Sequence, residues 1–93
     1  MLVKLTEAVH DTTTNRYSLR EVMVDSNHVV AVRVDPSMAS ALHEGRINDG
    51  LNPQTQFSRL YVGGGQYGLN LLIVGSPDLI QEKLHSYKAV LKG

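Results

Sequence analysis

The sequence predicts an α+β fold in a single domain, residues 1–93: a small antiparallel β-sheet of about five strands, a short middle helix and a C-terminal amphipathic helix. Three observations predict it. Apolar, β-branched runs recur between clusters of turn-forming residues. Two such runs, Phe57 to Val62 and Leu69 to Val74, flank the glycine-rich stretch Gly63-Gly64-Gly65-Gln66-Tyr67-Gly68, the pattern of a hairpin. From Ser76 onward, Ile80, Leu84, Tyr87 and Leu91 fall at spacings of four, three and four, which is one helical stripe.

Residues 2–9 predict an opening strand, with Val3 and Leu5 on one face and Lys4 and Thr6 on the other. Asp11-Thr12-Thr13-Thr14-Asn15 is a polar turn cluster, and residues 17–25 follow as a second strand. After the short turn Ser26-Asn27-His28, the run Val29-Val30-Ala31-Val32-Arg33-Val34 is the clearest strand signal in the chain. Strict alternation puts Val30, Val32 and Val34 on one face and Ala31 with Arg33 on the other. Asp35 as N-cap and Pro36 at the first helical position can start a short helix that Gly45 can stop, but with only two turns the segment reads equally as an ordered loop unless packing holds it. Residues 46–56 read as a loop, with turn signals at Asp49-Gly50 and Asn52-Pro53. A loop of that length in a small domain is often functional.

In the last strand Leu69, Leu71 and Ile73 alternate with Asn70, Leu72 and Val74, so both faces are largely apolar. A strand of that kind is normally covered on both sides. With one long helix to cover one side, the other side is expected to be a subunit interface. Ser76 as N-cap, Pro77 at the first helical position and Asp78 at the positive helix end open the final helix. Lys83, Lys88 and Lys92 lie toward its negative end.

A chain of 93 residues has room for one core. No cysteine is present, so disulfides and thiolate metal ligands are excluded. Small domains without those staples often rely on a partner subunit, and self-association is the expectation. A hydrophobic content of 42% argues against disorder. No apolar run approaches the roughly 20 residues of a membrane span. Met1-Leu2-Val3-Lys4-Leu5 lacks the basic leader and apolar core of a secretory signal, so a cytoplasmic protein is expected. Nine basic residues balance nine acidic ones. That disfavours nucleic acid as a partner, since phosphate contacts call for a basic excess, although Arg16 and Arg20, or Arg33, Arg46 and Arg59, leave room for a local patch.

Catalytic patterns are missing. His10, His28, His43 and His85 show no zinc-ligand spacing. Val74-Gly75-Ser76-Pro77-Asp78 is not a nucleophile elbow, and Ser76 already has a capping role. Glu21 and Asp25 share a strand at a spacing that usually faces solvent. No catalytic residue, metal or cofactor is assigned, and the chain is read as a non-enzyme.

The glycine stretch is the sharpest chemical feature. Consecutive glycines can turn several N–H groups toward one anion. The stretch lacks the Gly-Lys-Ser/Thr ending of a Walker loop, and a strand follows it where a dinucleotide fold needs a helix. One reading is a plain hairpin turn, with glycine supplying positive φ. The other is a ligand-facing or interface-facing turn in which Gly63, Gly64, Gly65 and Gln66 present the backbone, Tyr61 and Tyr67 are available to stack on a base, and Arg59 or Arg46 meets a phosphate. Tyr61, within an apolar strand, reads equally as core, whereas Tyr17 and Tyr67 flank turns and are the better binding candidates.

The runs Met1-Leu2-Val3-Lys4-Leu5, Val29-Val30-Ala31-Val32 and Leu72-Ile73-Val74-Gly75-Ser76-Pro77-Asp78-Leu79-Ile80 together resemble the flagellar FlbD-like family of small accessory proteins. The resemblance rests on the apolar pattern and covers about two thirds of the chain; Asp35–Gln56 and the longer glycine tip depart from it. It implies a small non-enzymatic accessory protein and carries no catalytic residues across. Small phage-encoded accessory proteins share the same build.

The leading expectation is therefore a homo-oligomeric binding protein that takes a small anionic ligand, such as a nucleotide, at a subunit boundary. The glycine turn and the 46–56 loop would wall the site. The alternative is an interaction module that docks on a larger machine through its helix or a sheet edge.

Overall fold

The computed structural model describes residues 1–47, 50–63 and 69–92, with side-chain surroundings through residue 85. Five strands, β1 (Leu2–Asp11), β2 (Arg16–Asp25), β3 (Val29–Val34), β4 (Phe57–Val62) and β5 (Leu69–Val74), form one sheet in the order β2-β1-β5-β4-β3. Every adjacent pair is antiparallel. Helix α1 (Ser37–His43) lies between β3 and β4, and α2 (Pro77–Lys92) follows β5. No helix among the described residues is long and apolar enough to cross a membrane.

The β1–β2 hairpin is the longest unit, paired without a break from Leu2↔Asp25 to Asp11↔Arg16. It reaches further into the polar cluster than hydropathy alone implies. The Asp11 carboxylate accepts the Thr13 N–H at 2.9 Å, and Asn15 takes a left-handed φ of 56°, a conformation asparagine tolerates better than most residues. The turn therefore needs only residues 12–15, and the flanking residues join the ladder.

β5 is the central strand, which explains its two apolar faces. Ile73 packs with Val3, Leu5, Val24, Leu60 and Ile80 under α2. Leu72, one residue away and pointing oppositely, packs with Ala8, Met38, Ala41, Ile47 and Phe57. The second face is thus covered by α1 and the segment after it. This corrects the expectation that one long helix leaves that face for another subunit: the short middle helix supplies the cover from within the chain.

Strict alternation in β3 is also corrected. The β3–β4 register shifts between Val29 and Ala31, so Val30 is an extra residue. Val29 and Val32 pack toward the α2 core, while Val30 is 70% exposed. Ala31 and Arg33 keep to the α1 face, opposite Tyr61 and Arg59.

α1 starts one residue later than the sequence implies. Pro36 is its cap residue, and the Asp35 carboxylate still accepts the Ser37 N–H at 3.1 Å. Its C-terminal side closes through Gly45, at φ 74°. α2 is capped by Ser76, whose Oγ accepts the Leu79 N–H at 3.2 Å. Ile80 is buried and Leu84 half-buried against the same core; the side chains of Tyr87 and Leu91 lie outside the described residues. Gly75, at φ 128°, makes the reversal from β5 into α2. The buried Ser58 hydroxyl donates to the Gly75 carbonyl at 2.7 Å and fixes that reversal to β4.

Candidate functional site

Arg59, Tyr61 and Gly63 of the sequence-predicted set lie together along β4 and its end. Gly64, Gly65, Gln66 and Tyr67 lie outside the described residues. Arg59 and Tyr61 point to the α1 face because each lies two residues, or a multiple of two, from the buried Phe57. Across the ladder Arg33 stands directly opposite Arg59, and Ala31 opposite Tyr61. On the other side Asn70 pairs with Tyr61 and Leu72 with Arg59. A small polar area results, bounded by the start of α1 at one end and Gly63 at the other.

The two arginines are held differently. One Nη of Arg59 donates to Asp35 Oδ2 at 2.9 Å and the other to Asn70 Oδ1 at 3.3 Å. Asp35 also accepts from the Ser37 N–H and hydroxyl. Burial presses the Asp35 pKa upward, yet the Ser37 hydroxyl, the Arg59 hydrogen bond and the Arg59 charge outweigh it and hold the carboxyl below its ordinary value. Arg33 has no carboxylate partner among the described ion pairs. Its guanidinium carbon instead lies 5.9 Å from the Tyr61 ring centroid. The pair thus offers one arginine with its charge compensated and one whose charge is open to solvent.

No family model, curated protein or solved structure significantly matches the chain. The site's meaning rests on its own chemistry.

Gly63 is committed locally. Its N–H donates to the His28 carbonyl at 2.9 Å, so this amide is not free for an anion. A Cβ added there would come within 3.1 Å of Val30 Cγ1, so the glycine makes room for the bulged valine. Arg33 was outside the predicted ligand set, although the sequence placed it with Arg46 and Arg59 in a candidate basic patch and its position marked it: it is the one charge in a valine-rich strand, out of phase with Val32 and Val34.

Arg46 stands apart from Arg59. Its carbonyl accepts the Tyr17 N–H at 2.9 Å, and Ile47 bridges to the outer edge of β2. Since β1 occupies the other edge of β2, the strands β2, β1 and β5 separate Arg46 from β4. Arg46 Nε donates to Glu44 Oε2 at 3.1 Å and Nη1 to Asn15 Oδ1 at 3.4 Å. The same Asn15 oxygen meets His10 Nε2 at 2.9 Å, and His10 stacks on Tyr17. These contacts fasten the post-helix segment to the β1–β2 hairpin.

Among the described residues, grooves lie elsewhere. One of about 500 Å³ runs along Asp78, Gln81, Glu82 and His85. A polar one of about 440 Å³ lies among Thr6, Gln54, Gln56, Ser76 and Lys83. An apolar one of about 310 Å³ runs between β3 and α2, along Val30, Val32, Pro77 and Leu84. Among the described residues no cluster of three His, Asp or Glu side chains could hold a metal ion.

Proposed function

We propose that this chain is a non-enzymatic, homo-oligomeric binding protein that takes a small anionic ligand of the nucleotide type at a subunit boundary. The observation that carries the reading is the direct cross-strand pair Arg33–Arg59, of which Arg59 alone is paired with a carboxylate, Asp35, among the described ion pairs. Like charges facing across a ladder cost stability, about 0.2–1 kcal/mol, and an anion over the pair would remove that cost. Tyr61, two residues from Arg59 on the same face, supplies an aromatic surface for a base. Guanidinium groups suit phosphate oxygens because they offer planar, paired donors.

The area is open, whereas small-ligand sites are normally concave and bury most of the ligand. A second wall from another subunit would meet that need, which is why the boundary belongs to the reading. Calorimetric titration with nucleoside mono- and triphosphates tests it. Binding that weakens with salt and is lost in Arg33→Ala is the expected result. Absence of heat with every phosphate-bearing ligand removes the ligand from the reading.

A further inference from the structure

We infer that two copies of this chain associate through the outer edge of β3, antiparallel about a two-fold axis at Val32, and that each copy's Arg33 completes the other's anion site. The inference rests on the homo-oligomeric reading above and specifies its boundary. The Asp35 N–H donates to the Phe57 carbonyl at 2.8 Å, which marks Asp35–Phe57 as a hydrogen-bonded pair. Antiparallel ladders alternate, so Arg33–Arg59 is also hydrogen-bonded, and Val32 and Val34 turn their N–H and C=O groups away from β4. Among the described residues no strand lies beyond β3 to receive them.

The two edges of the sheet differ in a way that favours this one. The β2 edge carries Arg16, Arg20, Glu21 and Asp25 and is bridged by Ile47, so charge and cover discourage pairing. The β3 edge carries Arg33 alone, has no proline, confines its bulge to Val30 so that residues 31–34 stay regular, and exposes Val30 at 70% and Val34 at 49%. The apolar groove of about 310 Å³ along Val30, Val32, Pro77 and Leu84 runs beside it on the α2 side and would be closed by the same association.

Charge selects the occupant and the register. A two-fold at Arg33 would set two arginines directly opposite. A two-fold at Val32 sets Arg33 opposite the partner's Ala31, so the edge is self-complementary with its one charge facing a methyl group. A foreign strand gains no such match from anything in this chain. In that register the two Arg33 residues become diagonal neighbours on the α1 face, about 7–8 Å apart. The Arg33–Arg59 pairs and tyrosines of both copies then form one basic stripe across the dimer axis. A ligand with two phosphate-like ends suits it better than a single phosphate.

Analytical ultracentrifugation of the full chain decides this, with far-UV circular dichroism confirming that each variant is folded. The wild type is expected to dimerise reversibly. Val34→Pro removes only an outward N–H, so it should weaken dimerisation about tenfold or more. Ala31→Arg should weaken it through like charges and Ala31→Glu should strengthen it, while Met23→Lys, which alters an exposed residue on β2, should leave it unchanged. Should Val34→Pro not fold, the opposed effects of the two Ala31 variants carry the test. A dimer indifferent to the β3 variants overturns this edge and leaves the homo-oligomeric reading standing. A wild type that stays monomeric at all concentrations overturns both, and phosphate titration of that monomer separately decides the ligand.

Discussion

Arg33 and Arg59 face each other across the β3–β4 ladder, and among the described ion pairs Arg59 alone of the two reaches a carboxylate, Asp35 at 2.9 Å. One guanidinium is therefore built into the fold, while its neighbour is exposed and lies near the Tyr61 ring. The two should respond differently to removal. Arg33→Ala should change thermal stability little, because relief of like-charge repulsion offsets the lost contact with Tyr61, within about 0.5 kcal/mol. Arg59→Ala should cost about 1–2 kcal/mol, because it strips a charge-assisted hydrogen bond from the mostly buried Asp35 carboxylate. Chemical denaturation of both variants beside phosphate titration separates the roles; equal stability losses would show that Arg33 is as structural as Arg59.

Asp35 sets an acid limit. Its folded pKa is below the ordinary 3.8, so its ionised form stabilises the fold fully above that value. The contribution fades as pH falls through the lower folded value. Wild type should therefore exceed Asp35→Asn in stability near neutrality, with the difference narrowing from about pH 5 downward. Paired denaturation curves across that range check it. A gap that stays constant in acid would mean the carboxylate's charge contributes nothing.

Gly75 should resist substitution. Its φ of 128° is one that side chains rarely adopt, so the cost lies in the backbone; an added Cβ would only reach ordinary contact with Leu79 and Ile80, at 3.4 and 3.6 Å. Gly75→Ala is expected to cost about 1–3 kcal/mol. Gly50, with φ 71° and open space around it, should lose less on the same change, about 1 kcal/mol. Melting temperatures of the two variants give the comparison, and a larger loss at Gly50 would contradict it.

Neighbouring residues on α2 should separate core from surface. Ile80 is 1% exposed and Leu79 is 45% exposed. Ile80→Ala should cost about 2–5 kcal/mol, whereas Leu79→Ala should stay below about 1 kcal/mol. Urea denaturation with an unchanged slope would confirm that both values are native-state effects.

The strands at Val29–Val34, Phe57–Val62 and Leu69–Val74 and the Ser76 cap were legible along the chain, because each depends on neighbours a few residues away. A hydroxyl three residues before an amide, or a β-branched run between turns, states its preference locally. The candidate site was half legible. Arg33 and Arg59 could be grouped as a patch from charge, but their direct opposition came only through the β3–β4 register. Arg46 was grouped with Arg59 by charge alone, and Ile47's bridge to Tyr17 carried it to the far edge of the sheet.

An α+β class with a small five-stranded sheet and two helices was therefore readable from residue order, since periodicity, turn chemistry and composition are short-range properties. Long-range pairing settled the rest. It made β5 the central strand, turned α1 into the cover for its second face, and offset Val30 by a bulge. It also brought two arginines 26 positions apart in sequence into direct opposition. Those outcomes depend on which strands pair and in what register, and that choice is made by burial of Phe57, Leu60, Leu72 and Ile73 in the assembled sheet, where each side chain's neighbours come from distant parts of the chain.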